Sequence, residues 1–319
     1  MSLNPAPLNT GISEAPENGL AYRHVTEDDT RIRIGWWPSE TPEAGTVFIF
    51  PGRTEYIEKY GRTVTDFRAL GFSCLVIDWR GQGLSDRDTN DPMMGHVRRY
   101  RDYQKDVSSM VAAAKDLGCP EPWYMVGHSM GACIGLRALQ EGFPAKACAF
   151  TSPMWDINLP IAKRLAAWPF AALSTCLGRS RRYAPGSDAI GYVSKTPFAK
   201  NRLTNDPEMY QYYLRQIYAL PDYQLGGLSI GWLFETLKET RTLAKMASPR
   251  VPCITFLGLQ DVVIDIPAAE RRMADWPDAK LVKLGTARHD TFSEIPEIRN
   301  DVAMQIGRLF GQARKKASA

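Results

Sequence analysis

The 319-residue chain is 44% hydrophobic and 23% charged, with a net charge of +4. That balance supports a large buried core, built as one big domain or as a domain with an insertion, and excludes a disordered chain. The charge is small for this length and the basic residues are scattered, so nucleic-acid binding finds no support.

Residues 1–20 are rich in Pro, Asn and Glu and are expected to form a flexible amino-terminal segment. They lack the basic start and apolar run of a signal peptide, so export by that route is not expected. The cysteines at 74, 119, 133, 148, 176 and 253 show no Cys-x-x-Cys pair, and several lie in apolar runs. They read as reduced core thiols of a cytoplasmic protein. Ala21 to Val25 and Arg31 to Trp37 read as a hairpin around Glu27-Asp28-Asp29. The continuous apolar run Thr46 to Phe50 has the character of a strand buried on both faces, and it leads into the loop Pro51-Gly52-Arg53-Thr54-Glu55. An amphipathic helix with Tyr56, Ile57, Tyr60, Val64, Phe67 and Leu70 on its apolar side closes at Gly71, and Phe72 to Ile77 is the next strand.

Gly81-Gln82-Gly83 follows that strand, but Ser85-Asp86 stands where a dinucleotide fingerprint requires a third glycine. A glycine-permitted turn is the better reading. Helices over Tyr100 to Leu117 and Met130 to Gln140 then alternate with strands at Trp123 to Val126 and Ala145 to Phe150. Strands alternating with helices mean a mostly parallel sheet with helices on both faces, an α/β fold. The alternation stops over residues 152–248, which read as an inserted, mainly helical cap. It resumes with a strand at Cys253 to Leu257, a helix at Ala268 to Trp276, a strand at Lys280 to Leu284 and a helix from Glu297 to Phe310. The core therefore comprises residues 21–151 and 249–319. The longest uncharged stretch in the middle of the chain, Leu165 to Gly178, is shorter than the roughly 18 apolar residues of a membrane span, and Pro169 interrupts it.

Gly127-His128-Ser129-Met130-Gly131 sits between an apolar strand and a helix, the context of a nucleophile elbow. There the serine hydroxyl projects above the sheet. The free first amides of the helix, Met130 among them, can face the oxyanion formed when Ser129 attacks a carbonyl. A serine hydroxyl needs an imidazole to take its proton and a carboxylate to hold that imidazole. Asp261 and His289 both lie a few residues past strand ends, in the order Ser, Asp, His. Asp265 is the reserve acid. His24, His96 and His128 read as structural or pocket-lining. The second oxyanion donor is expected from the loop after Phe50, at the Gly52-Arg53 peptide. The chain shows no metal-ligand spacing and no cofactor motif, so neither kind of group is expected.

Together with the segments 50–60, 78–85, 151–153, 258–261 and 287–290, this site resembles the monoacylglycerol lipase and bacterial lysophospholipase L2 group of α/β-hydrolase serine hydrolases. The resemblance implies that Ser129 is the nucleophile, Asp261 the acid and His289 the base, with the amides of Arg53 and Met130 as the oxyanion hole. It also implies that residues 152–248 cover an acyl pocket. Pro51 stands where the group usually has His, so hydrogen bonds made by that imidazole are missing.

The leading expectation is a serine esterase acting on a monoacyl lipid ester, a lysophospholipid or a monoacylglycerol. Trp155, Leu159, Ile161, Leu165, Trp168 and Phe170 line an acyl channel in one reading and form the cap's own small core in an equal one. Arg179, Arg181 and Arg182 read first as a solvated face and second as a contact with phosphate headgroups or an anionic membrane. A short-chain carboxylesterase, a thioesterase or a peptidase shares the same fold and triad. A catalytically silent ligand-binding protein remains the alternative from another class.

Overall fold

The structure, a computed structural model, describes residues 3–40, 44–159 and 161–317. Its nine strands are β1 (Asn4–Pro5), β2 (Leu20–Val25), β3 (Arg31–Trp37), β4 (Thr46–Phe50), β5 (Ser73–Asp78), β6 (Trp123–His128), β7 (Cys148–Thr151), β8 (Cys253–Gly258) and β9 (Ala279–Leu284). They form one sheet in the order β1-β2-β3-β5-β4-β6-β7-β8-β9. Pairing is antiparallel from β1 to the β3–β5 junction and parallel from β5 to β9. Every residue of β4, β6, β7 and β8 is buried, which is why these strands read as unbroken apolar runs rather than as alternating ones. At the edge, β9 has no fully buried residue and exposes Lys280 and Lys283, charges that discourage pairing with another sheet.

Helices α2 (Gly61–Ala69) and α10 (Pro296–Ala317) bury Val64, Phe67, Val302, Ile306 and Phe310 against one face of the sheet. On the other face lie α3 (Tyr103–Asp116), α4 (Met130–Gln140) and α9 (Ile266–Ala274), through Val107, Met110, Ile134, Leu136 and Met273. Two expected helices begin instead as 3₁₀ turns, Ile57–Tyr60 before α2 and Tyr100–Asp102 before α3. At the first of these the Ile57 N–H is taken by Asp78 Oδ1 at 2.8 Å, a partner no periodicity reveals. α10 runs beyond Phe310 to Ala317, where Arg314 and Lys315 suit the negative end of a helix.

Between β7 and β8 the chain leaves the sheet and forms α5 (Ile161–Cys176), α6 (Tyr192–Lys195), α7 (Pro207–Ala219) and α8 (Ile230–Ala244). α5 continues through Pro169 rather than stopping there, at the cost of one backbone hydrogen bond. Capping chemistry starts the other two long helices: Asp206 accepts the amides of Glu208 and Met209 ahead of Pro207, and Ser229 accepts that of Trp232.

The amino-terminal segment departs from its expected freedom. β1 pairs with β2, and the single-turn helix α1 (Thr10–Ser13) is wedged between the core and α7. Tyr212 Oη donates to the carbonyls of Ser13 and Glu58 at 2.6 and 3.0 Å, Gln216 Nε2 to that of Ile12 at 3.1 Å, and Asn9 Nδ2 to Tyr223 Oη at 2.6 Å. Ser13, a polar residue in a polar stretch, is fully buried because these partners come from elsewhere in the chain.

Candidate active site

Ser129 links β6 to α4 with φ +50° and ψ −114°, a strained conformation for a side-chain-bearing residue. Neighbouring backbone holds it there: its N–H donates to the Thr151 carbonyl at 3.0 Å, and its carbonyl accepts the amides of Met154 and Ala132 at 3.0 and 3.1 Å. Gly131 lets the first turn of α4 lie against the end of β4, since a Cβ there would stand 1.9 Å from the Phe50 carbonyl oxygen. The elbow and the loop 51–55 are thereby neighbours.

The Ser129 hydroxyl lies 3.0 Å from His289 Nε2, and His289 Nδ1 lies 2.7 Å from Asp261 Oδ2. The other carboxylate oxygen accepts the amides of Val263 and Ile264 at 2.7 and 3.3 Å, which fixes the rotamer. Asp265 is spoken for elsewhere, capping α9 through the Ala268 amide. The loops carrying Asp261 and His289 can touch because residue 258 is glycine: a Cβ there would meet the Arg288 carbonyl oxygen at 2.2 Å. Burial by itself lowers the His289 pKa, but Asp261 outweighs it and holds the imidazole above its ordinary value of 6.5. Asp261 is likewise raised by burial and brought below its usual range by His289. Such a chain of hydrogen bonds can move a proton from the hydroxyl to Nε2 as the oxygen attacks, with the carboxylate stabilising the imidazolium.

The loop 51–55 is braced from three directions. Trp79 Nε1 donates to the Pro51 carbonyl at 2.9 Å, and Gln82 donates to the Gly52 carbonyl at 3.1 Å while accepting the Thr54 amide at 2.9 Å. Glu55 accepts the Gly52 amide and, at 2.6 Å, the Tyr60 hydroxyl. The turn Gly81-Gln82-Gly83, both glycines at positive φ, thus serves to aim Gln82 at this loop. Lys59 Nζ joins Glu55 and Asp290 at 2.7 and 2.5 Å, and Tyr213 Oη donates to Asp290 at 2.7 Å. His128 completes the group, its Nδ1 2.9 Å from Thr151 Oγ1 and its ring 5.0 Å from that of His289.

Burial would raise both acids, yet Lys59 and then His128 keep Glu55 below its ordinary pKa and Asp290 far below. Glu55, His128 and Asp290 are also the cluster among the described residues whose ligand atoms, all within 4.8 Å of one another, could hold a metal ion. The Lys59 ammonium bridging the two carboxylates already supplies the positive charge there. Glu55 and Lys59 stand at i,i+4, a spacing that ordinarily marks a solvated pair, so nothing in the sequence pattern singles out this network.

Beside Ser129 and His289 lies a cavity of about 360 Å³. Its apolar wall includes Met154, Ile157, Val193, Leu203, Ile217 and Leu228; Arg53, Glu55, Lys59 and Tyr213 supply polar groups. The aromatic residues named from the sequence lie elsewhere. Trp155 is a core side chain against Phe150 and Trp276, with its Nε1 donating to the Ala132 carbonyl, and Trp168 packs on Phe234 and Arg241 between α5 and α8. Leu159 is half-buried and Leu165 and Phe170 are exposed, all three outside the lining; the Ile161 side chain falls outside the described residues. The lining instead comes from α7 and the segments at 192–193, 202–203 and 228–232, where apolar residues alternate irregularly with polar ones and give no periodic signal. His24 is buried in β2, and His96 bonds the Ser229 hydroxyl at 2.8 Å.

A parallel sheet carrying this elbow, with an acid and a histidine beyond later strands, defines an α/β-hydrolase. A soluble variant of monoglyceride lipase from Saccharomyces cerevisiae, solved with a substrate analog, has the same fold: TM-score 0.70, 19% identity, 94% of this chain and 96% of that one. Residues 41–296 match the family model described as serine aminopeptidase, S33, and the chain belongs to that family. It is 34% identical to lysophospholipase L2 of Escherichia coli K12 over 229 residues, 69% of this chain and 64% of the relative, and so spans slightly less than two thirds of that protein. It is also 25% identical to a probable lysophospholipase L2 of Haemophilus influenzae over 295 residues, 91% of this chain and 88% of that one.

Proposed function

We propose that the protein is a serine esterase that hydrolyses a monoacyl lipid ester, a lysophospholipid or a monoacylglycerol. In this reading Ser129 attacks the ester carbonyl while His289 takes its proton and Asp261 stabilises the imidazolium. The amides of Arg53 and Met130 bind the oxyanion. His289 then returns the proton to the leaving alkoxide, and water, deprotonated by the same imidazole, releases the fatty acid from the acyl-Ser129 intermediate. The observation that carries the reading is the hydrogen-bonded series Ser129–His289–Asp261 opening onto a cavity with a largely apolar wall. The relatives named lysophospholipase L2 support the substrate class.

An aminopeptidase must hold a substrate ammonium. Among the described lining residues the carboxylate is Glu55, and Lys59, Gly52 and Tyr60 already occupy it, which favours an ester over a peptide. Residues 152–248 act as the cap in this reading. Its helix α5 and the residue that follows it leave Leu165, Leu173 and Leu177 exposed at 73%, 63% and 60%, a surface suited to peripheral contact with the membrane that holds the substrate. The cysteines, none disulfide-bonded and all but Cys176 buried, suit a cytoplasmic setting.

Intact mass after treatment with a fluorophosphonate tests the mechanism. One adduct is expected on the native protein and none on Ser129→Ala. Hydrolysis of lysophosphatidylcholine and monoacylglycerol, compared with p-nitrophenyl esters of graded length, tests the substrate class, and a preference for acetate would sink it.

A further inference from the structure

Buried and half-buried guanidinium groups in this protein are mostly met by carboxylates. Arg33 lies 2.7 Å from both Asp78 and Glu58, Arg80 pairs with Asp28 and Asp106, and Arg137 with Glu239. Where a carboxylate is missing, several oxygens replace it: Arg87 donates to the carbonyls of Gly81, Gly83 and Asp222, and Arg272 to those of Met246 and Leu243 and to the Ser248 hydroxyl. Arg53 is the exception. Among the described residues its side chain has one hydrogen-bond acceptor, the Gly226 carbonyl at 3.0 Å, and no ion pair, while its guanidinium lies 5.7 Å from the Trp232 ring. Burial pushes its pKa down to about 10, which leaves it charged at neutral pH. A half-buried cation that leaves most of its five donors without a protein partner is open to an anion entering the cavity. Arg53 lines the Ser129 cavity.

We infer that the Arg53 side chain is the headgroup-recognition element of this site, binding the phosphate of a monoacyl glycerophospholipid while Ser129 attacks its ester. The inference rests on the lipid-esterase reading and narrows it. Distances suit the assignment. The guanidinium carbon is five bonds from its own Cα, and in a 1-acyl glycerophospholipid the phosphorus is five bonds from the ester oxygen, each a reach of about 6 Å when extended. A phosphate whose ester carbonyl sits at the backbone of residue 53 therefore falls within range of the side chain of the same residue. Planar N–H pairs match phosphate oxygens bidentately; of the other cations in the lining, Lys59 is already held by Glu55 and Asp290, and Arg202 is exposed to solvent. A monoacylglycerol offers no anion there, so the guanidinium would stay uncompensated.

The test compares kcat/KM for lysophosphatidylcholine and monoacylglycerol of one acyl length, in the same neutral detergent micelles, for the native protein, Arg53→Met and Arg53→Lys. Because residue 53 also belongs to the oxyanion loop, the quantity read is the ratio of the two substrates. That ratio should drop about 10- to 100-fold in Arg53→Met and recover in part in Arg53→Lys. An unchanged ratio, or an equal fall on both substrates, overturns the inference. Binding of glycerophosphocholine to Ser129→Ala, measured calorimetrically with and without Arg53→Met, separates this inference from the esterase reading. Arg53-dependent binding in a protein that turns over neither lipid would uphold the anion site and sink the esterase. Binding of inorganic phosphate but not of glycerophosphocholine would refute headgroup recognition, as would binding of neither.

Discussion

Replacing Asp261 by asparagine tests how His289 is set. One carboxylate oxygen of Asp261 accepts the amides of Val263 and Ile264, so in the Asp261→Asn variant the amide oxygen must stay on that side. The amide nitrogen then occupies the other position, 2.7 Å from His289 Nδ1, where it donates and forces Nδ1 to accept. The imidazole is left with its proton on Nε2, facing the Ser129 hydroxyl 3.0 Å away, and cannot take the proton from it. With the geometry intact and the tautomer wrong, kcat for a p-nitrophenyl ester should fall about 10³- to 10⁴-fold. The pH profile supplies a second readout. Catalysis needs neutral His289, whose pKa Asp261 raises above 6.5, so the acidic limb of kcat/KM in the native protein lies above that value. In the variant the largest offset to burial is gone, though Asp290 and Glu55 remain, and the limb moves to lower pH. Retention of kcat within tenfold, or a limb that does not move, would refute the reasoning.

Glu55→Gln turns an amide nitrogen toward Lys59 or toward Gly52; kcat should fall about 10²-fold through the displaced loop while KM changes little, and an unaltered kcat would show that Glu55 does not position it. Lys59→Met leaves the buried carboxylates of Glu55 and Asp290 without their cation, a loss of about 3–5 kcal/mol by urea unfolding at pH 7 that should shrink at pH 5 as one of them takes up a proton. In the native protein both acids have depressed pKa values, so their contribution is present above their unfolded values near 4 and should be lost as pH falls below about 4. Gly131→Ala sets a methyl group against the Phe50 carbonyl and should cost at least about 3 kcal/mol or prevent folding; a shift in Tm of a degree or two would contradict the packing described.

The strands around Ser129 were readable because burial on both faces leaves unbroken apolar runs, and β4, β6 and β8 fall where those runs lie. Ser129, Asp261 and His289 were legible for a related reason: parallel strands deliver their following loops to one rim, so position after a strand stands in for position in space. Glu55, Lys59 and Asp290 carry no such mark. Their importance comes from burial beside one another across 231 residues of sequence, and a charged residue looks the same in sequence whether it faces water or Lys59. The cavity wall escaped for another reason. Trp155 and Trp168 are large and apolar, but their partners Trp276 and Phe234 draw them into packing layers away from Ser129. The smaller Ile157, Val193 and Ile217 make the wall instead.

Residues 9–14 clasp the body of the protein to α7, the helix whose Tyr213 and Ile217 form part of the pocket. Cutting that clasp by trimming or early proteolysis would alter no reacting atom, yet it would free the helix that forms one side of the pocket. One wall of the pocket is thereby fastened by a stretch of peptide more than a hundred positions upstream of the serine.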